Sequence, residues 1–258
     1  MRNILAKSNL STLSDFACSS VLLGFDYDGT LARIVSSPSR ARMRDPTRRL
    51  LWRVARSYPC VVISGRRRDD LAKRLAHLPL WQIYGNHGLE PWAENEKFLP
   101  SVREWVRHLH AVLGTHPGIV IEDKKYSVAV HYRHVRDKAR VRRTIQKATR
   151  GLQGVRVLGG DEAVNLIPSG GADKGVALQD ARRLLACDTA IYVGDDDTDE
   201  VAFASAPPSE LLGIRVGPAR FSRALYRLNT QRDIDRLLRM LLALRGRTST
   251  KHGLPLPA

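Results

Sequence analysis

Acidic residues stand in two tight groups in this chain. Asp26 and Asp28 lie two positions apart in FDYDGTL (residues 25–31), at the end of the apolar run Val21–Phe25. Asp195, Asp196 and Asp199 follow a second apolar run at 189–193. Carboxylates gathered in one crevice cannot all stay ionised without a cation. No Cys or His cluster accompanies them, and an oxygen-only donor set calls for a hard ion; Mg²⁺ fits. Ser64, just after the apolar run Cys60–Ile63, adds a hydroxyl, and Lys174 adds a cation. Together these groups make a phosphoryl-transfer site. A carboxylate attacks phosphorus, Ser64 holds an equatorial oxygen, and Lys174 with the metal offsets the charge on the transferring group. Asp26, at the strand end where backbone order fixes it, is the expected nucleophile. Asp28 is placed to protonate the leaving alkoxide and then to deprotonate the attacking water. Gly29 lets the chain turn sharply away.

These groups meet only if strand ends converge. Residues 21–25 and 60–63 read as buried strands, and 81–84 as a third, ending in Gly85-Asn86-His87-Gly88. Asp45-Pro46 reads as an Asp N-cap with Pro at the first helical position. Leu50, Leu51, Val54 and Ala55 follow at helical spacing. Residues 69–78 form an amphipathic helix with Leu71, Leu75 and Leu78 on one face. Such alternation predicts an α/β protein with a parallel sheet, whose working groups gather beyond the carboxyl ends of the strands.

The middle of the chain reads differently. A helix at 100–113, strands at 118–122 and 126–133, a basic helix at 135–150 and short strands at 155–158 and 163–167 suggest an antiparallel sheet with helices on one side. In 126–133, Val128, Val130 and Tyr132 alternate with Ser127, Ala129, His131 and Arg133, the period of a half-exposed strand. Residues 93–170 are therefore expected to form a separate unit inserted into a core of 1–92 and 171–258. The core pattern resumes with a helix at 174–185, strands at 189–193 and 212–216, a helix from 198, and a terminal helix at 233–244. The polar segment from Gly246 reads as a frayed tail.

Composition narrows the classes. The 258 residues are 43% hydrophobic and 26% charged, as in ordinary soluble proteins. No run of 18 apolar residues exists, so no membrane span is expected. Residues 1–20 lack the apolar core of a secretory leader, and a cytoplasmic location is expected. Cys18, Cys60 and Cys187 show neither zinc-ligand spacing nor a disulfide framework; Cys60 and Cys187 are expected to pack in the interior. The net charge of +16 favours anionic partners. It is spread along the chain with few interleaved aromatics, so nucleic acid is not the expected partner. A small phosphorylated molecule is, and a monomer is the expected form.

FDYDGTL resembles the DxDGT signature of the haloacid dehalogenase superfamily of phosphatases, with Ser64, Lys174 and Gly194-Asp195-Asp196 in the order of its further motifs. Within that superfamily, SGR at 64–66, GNHG at 85–88, EDKKYSVAVHYR at 122–133, DKG at 173–175 and GDDDTDEVAF at 194–203 resemble the trehalose-6-phosphate phosphatase family, over about residues 20 to 245. The resemblance implies a Rossmann-like parallel-sheet core with an inserted α/β cap that closes over a sugar phosphate. It implies that Asp26 is the nucleophile, Asp28 the acid/base, and Ser64 and Lys174 the phosphoryl-binding groups. Asp26, the Asp28 carbonyl and Asp195 would hold Mg²⁺, with Asp196 and Asp199 beside them. Glu122 and Lys124 would contact sugar hydroxyls, and His131 and Arg133 would help form the cap's substrate face. Arg66, two residues after Ser64, is either a solvated cation or an anion contact. His87 is either a packing residue or a group orienting the nucleophile loop or a phosphate. One position departs from the family: Asn165 stands where a sugar-contacting glutamate is usual. An amide still hydrogen-bonds a hydroxyl but brings no charge, which leaves another sugar phosphate open as substrate. A basic nucleic-acid-binding protein on the same fold is the more distant alternative.

Overall fold

In the computed structural model, which describes residues 1–35, 38–160 and 162–252, the two apolar runs that precede the acids are hydrogen-bonded neighbours in one sheet. The chain enters through β1 (Arg2–Asn3) and α1 (Leu10–Cys18), then runs through β2 (Val21–Phe25), α2 (Asp45–Ala55), β3 (Cys60–Ile63), α3 (Arg68–Arg74) and β4 (Gln82–Tyr84). It then builds a second unit from α4 (Leu99–Leu113), β5 (Val120–Asp123), β6 (Val128–His131), α5 (Lys138–Thr149), β7 (Val155–Gly160) and β8 (Ala163–Pro168). It returns through α6 (Lys174–Leu184), β9 (Thr189–Gly194), α7 (Glu200–Phe203), β10 (Leu211–Val216), β11 (Tyr226–Leu228) and α8 (Ile234–His252).

The core sheet is parallel throughout, in the order β1-β11-β10-β9-β2-β3-β4. All five residues of β2 are buried, because helices cover both faces. Val21, Leu23 and Phe25 join the cluster of Leu13, Leu51, Val54 and Leu237 on one side. Leu22 joins Ala177, Leu178 and Phe203 on the other. The inserted sheet is antiparallel in the order β5-β6-β8-β7. Trp105, Leu109, Val141 and Ile145 of its two helices pack on Val128, Val130, Val164 and Leu166. The architecture is the expected α/β core with an α/β cap.

Several local expectations shift. Asp45 is the first helical residue rather than the cap, which is Arg44, and Pro46 follows inside the first turn. α3 stops at Arg74, and His77 turns left-handed at φ 66°. The acids after β9 form a 3-10 turn, Asp197–Asp199, ahead of the short α7. α8 continues to His252 instead of fraying at Gly246, and the rest of the expected tail, 253–258, lies outside the described residues. Cys60 is buried, but Cys187 is only partly so and Cys18 is exposed. The strand around Val128 is not half-exposed: Ser127 and Ala129 are as buried as their apolar neighbours. On its second face Ser127 bonds Asn86, just beyond β4, a partner that alternation alone does not reveal. No helix among the described residues is long and apolar enough to cross a membrane.

Candidate active site

Strand register creates the site. Phe25 pairs with Val193 on one side and with Val62 on the other. Asp26 continues the ladder through its N–H to the Val193 carbonyl (2.8 Å), and the Ser64 N–H bonds the Tyr84 carbonyl (3.0 Å). Asp26, Ser64 and Asp195 therefore leave the sheet at one level. Gly29 bends the chain back at φ +81°, where a Cβ would stand 1.9 Å from Asp195 Oδ2. Only glycine fits both demands. Thr30 Oγ1 donates to Asp195 Oδ1 at 3.2 Å.

Lys174 opens α6, whose first turn is capped by Asp173 accepting from the Gly175 and Val176 N–H groups. Its Nζ is buried and donates to Asp26 Oδ1 (2.9 Å) and Asp199 Oδ1 (2.7 Å). Asp199 is wholly enclosed. Its Oδ1 also accepts from the Tyr192 hydroxyl (2.7 Å), and its Oδ2 from the Asp195 and Asp196 N–H groups (2.9 and 3.1 Å). With four hydrogen bonds on two oxygens, Asp199 fixes Lys174 and the Asp195-Asp196 backbone. Asp196 Oδ1 accepts from Thr198 N–H and Oγ1, capping the turn. Arg215 binds the Asp196 carbonyl (3.0 Å) and Glu200 (2.6 Å) behind it.

Charge and burial oppose one another here. Burial, only partly offset by Lys174 and reinforced by Asp199, Asp196 and Asp28, pushes the Asp26 carboxyl well above its usual range. Asp195 is pushed up by burial and by Asp26 and Asp199. Asp196 is pushed up to about 6, chiefly by burial. Asp199 goes the other way: its burial is outweighed by Lys174 together with the hydrogen bonds from the Asp196 N–H and the Tyr192 hydroxyl. Burial also works against the Lys174 ammonium, but Asp199 and Asp26 outweigh it and hold the charge firmly. Oxygens of Asp26, Asp195 and Asp199 lie within 4.8 Å of one another. Two of these three acids, Asp26 and Asp195, resist ionisation, chiefly because they are buried and further because neighbouring carboxylates crowd them. An all-oxygen donor set that crowds its own negative charge fits a hard divalent cation.

A cavity of about 490 Å³ separates the core strand ends from the cap. Asp26, Asp28, Ser64, Arg66, His87, Lys174, Asp195 and Asp196 line it from the core; Glu122, Lys124, His131, Arg133 and Asn165 line it from the cap. Asp199 alone among the expected site residues lies behind the wall. Cap register explains the grouping. Glu122 pairs with Ala129, and Ala129 with Asn165, across three strands of one face. Within the cavity, Arg66 grips both Asp28 oxygens (2.6 and 2.8 Å) and also binds Asp70 (2.8 Å). Glu122 accepts from His131 at 2.8 Å. Lys124 donates to the Gly65 carbonyl at 3.0 Å. Arg133 reaches from the cap to the Val35 carbonyl (2.9 Å) and pairs with Glu162 (3.1 Å).

His87 is 4% exposed, and neither ring nitrogen completes a hydrogen bond. Burial, with Lys124 and Lys174 nearby, holds its ring well below the usual histidine range, so it stays neutral. Its ring lies against Gly65, where a Cβ would meet it at 2.5 Å. Sequence reasoning passed over Thr30, Thr198, Tyr192, Arg215 and Asn86. The two threonines lie inside the motifs and were legible as capping types; Tyr192 reads as one more apolar strand residue.

A parallel core with acids at its central strand ends, and a cap inserted after β4, is the architecture of haloacid dehalogenase-like hydrolases. A Bacillus subtilis haloacid dehalogenase-like hydrolase superposes with a TM-score of 0.55 at 15% identity, covering 84% of this chain and 98% of that one. The C-terminal domain of trehalose-6-phosphate phosphatase from C. albicans superposes with a TM-score of 0.73 at 23% identity, covering 92% and 97%. The trehalose-phosphatase family model matches residues 24–229. The chain belongs to the trehalose-phosphatase family. Trehalose-phosphate phosphatase of Mycolicibacterium paratuberculosis is 34% identical over 235 residues, covering 85% of this chain but 57% of that protein.

Proposed function

We propose that this chain hydrolyses trehalose 6-phosphate to trehalose and phosphate, with Mg²⁺ as cofactor and an aspartyl-phosphate on Asp26 as intermediate. One observation carries the reading: the Asp26–Lys174 pair and the cap residues Glu122 and Lys124 border the same cavity. Lys174 holds Asp26 Oδ1 and thereby leaves Oδ2 for attack. A bond forms from Oδ2 to phosphorus as the bond from phosphorus to the sugar oxygen breaks, and Asp28 gives that oxygen a proton. Water then attacks the phosphorus, Asp28 takes its proton, and phosphate leaves with Asp26 restored. Since Arg66 occupies both Asp28 oxygens, proton transfer requires Asp28 to give up one of these bonds. Asp70 remains on Arg66 as its second partner. Asp26, Asp195 and the Asp28 carbonyl would hold Mg²⁺, with Asp196 beside them; the ion supplies positive charge against the phosphoryl oxygens.

Residues 93–170 serve in this reading as the cap that selects the sugar, and residues 1–92 and 171–258 as the catalytic core. Ser64 holds a phosphoryl oxygen. Glu122, Lys124 and Asn165 face the sugar, with His131 fixing Glu122. The neutral His87 offers one donor and one acceptor to the bound molecule. Arg133 ties the cap to the core loop at Val35. Phosphate release is to be measured on trehalose 6-phosphate, sucrose 6-phosphate, mannosyl- and glucosyl-phosphoglycerates and simple hexose phosphates. Trehalose 6-phosphate is expected to be the best substrate. Hydrolysis no faster than that of glucose 6-phosphate sinks the assignment. Asn165, neutral where the family carries an acid, favours a different sugar phosphate as the second reading.

A further inference from the structure

The left-handed segment after β4 performs a task that the phosphoryl chemistry leaves unexplained. Asn86, His87 and Gly88 have φ of 50°, 61° and 105° in succession. Such backbone is costly outside glycine, least so for asparagine, and persists only where its surroundings enforce it. Two main-chain bonds do so: Asn86 N–H to the Arg66 carbonyl (2.7 Å) and His87 N–H to the Ser64 carbonyl (2.9 Å). The Asn86 loop is thus stapled to the loop that carries Ser64.

The Asn86 side chain, with no exposure, points away from that staple and into the cap. Its Nδ2 donates to the Lys124 carbonyl at 3.1 Å and to Glu90 at 2.6 Å. Its Oδ1 accepts from Ser127 Oγ at 2.7 Å. Lys124 and Ser127 are the two ends of a closed turn, since the Lys124 N–H bonds the Ser127 carbonyl at 2.9 Å. Grasping both ends fixes the turn, and with it the direction of the Lys124 side chain. Lys124 then reaches back to the core at the Gly65 carbonyl, 3.0 Å away. Glu122, at 3.8 Å, is too far to orient it by a hydrogen bond.

We propose that Asn86 is a positioning residue: it clamps the cap turn 124–127 to the Ser64 loop, so that the sugar-facing Lys124 keeps a fixed place relative to the phosphoryl site. The assignment rests on the reading of Lys124 as a sugar contact. Two buried hydrogen bonds, to the Lys124 carbonyl and from Ser127, carry the clamp, and each buried partner left unpaired is costly. A substrate small enough to need no cap contact is indifferent to it.

Asn86→Gly keeps the left-handed backbone and deletes the clamp together with the bond to Glu90; Ser127→Ala removes only the cap-side partner and decides the matter if Asn86→Gly does not fold. Each is assayed on p-nitrophenyl phosphate and on the best sugar phosphate of the substrate panel. For the sugar phosphate, kcat/KM should fall roughly 10- to 100-fold, mostly through KM. For p-nitrophenyl phosphate it should stay within about threefold. In a Lys124→Ala background the same substitution should change sugar-phosphate turnover by less than about threefold, because its target is gone. Amide exchange across 120–131 should quicken in either variant, a readout that needs no substrate. An equal loss on both substrates, an undiminished effect without Lys124, or unchanged exchange overturns the clamp. If the wild type hydrolyses no sugar phosphate but exchange quickens, the substrate reading fails and the clamp stands.

Discussion

Asp199→Asn separates a scaffold role from a ligand role for the most enclosed acid in the site. The carboxylate takes four hydrogen bonds, from Lys174, Tyr192 and the N–H groups of Asp195 and Asp196. An amide keeps one oxygen. If that oxygen stays under the two N–H groups, the new NH₂ faces the Lys174 ammonium and the Tyr192 hydroxyl, both of which donate to Asp199. Lys174 retains only Asp26 as a charged partner. Removing one member of a buried pair costs about 3–5 kcal/mol, because the remaining charge stays desolvated. At about 2 °C per kcal/mol for a chain of this size, Tm should fall by roughly 6–10 °C. The melt is run in EDTA at pH 7.5, so that metal binding does not enter. An Asp199 that served chiefly as a metal ligand would behave oppositely: deleting its charge relieves Asp26 and Asp195 and raises the Tm of the metal-free protein. A Tm that rises, or that falls by less than about 2 °C, refutes the scaffold argument.

Four further outcomes follow from the geometry. Asp26→Asn should lower phosphatase turnover at least about 1,000-fold in phosphate-release assays, with a wild-type circular dichroism spectrum. EDTA should likewise silence the wild type, and added Mg²⁺ should restore it. His87 is neutral in the fold with its pKa depressed, so its contribution to stability is complete above pH 6.5 and is lost as pH falls toward the depressed value. Stability from urea titrations should fall more between pH 7.5 and pH 5.5 in wild type than in His87→Asn; equal falls would remove His87 as the titrating group. Gly29→Ala forces a side chain onto Asp195 at φ +81°, so activity should collapse while stability falls by only about 1–3 kcal/mol, read by the same two assays.

The strand-end carboxylates were legible because chemistry and burial leave opposite marks side by side. A fully apolar run such as Val21–Phe25 announces a strand covered on both faces, and an acid directly after it has no structural reason to be there. Asp26, Asp28, Ser64 and Asp195 stand out on that contrast; Lys174 stands out only as a cation just after the inserted block. The cap face was legible in part. Period two placed His131 and Arg133 opposite the apolar positions, and the family resemblance pointed to Glu122, Lys124 and Asn165; but period two assigned Ser127 and Ala129 to water, since alternation records which side chains share a face and not what that face meets.

By itself, then, the sequence determined the elements, their α/β order and the residue types fit to move a phosphoryl group, because these depend on neighbours within a few positions. Only the tertiary structure decided which of them touch. Register places Phe25 beside Val193 with the whole cap between them in the chain, and no local pattern encodes that pairing. The Arg66 grip on Asp28 and the Asn86 clamp on the cap also lie across separations no local pattern spans, 38 to 41 residues. Each is a hydrogen bond between polar groups that look interchangeable in sequence and become specific only when burial removes water as the alternative partner.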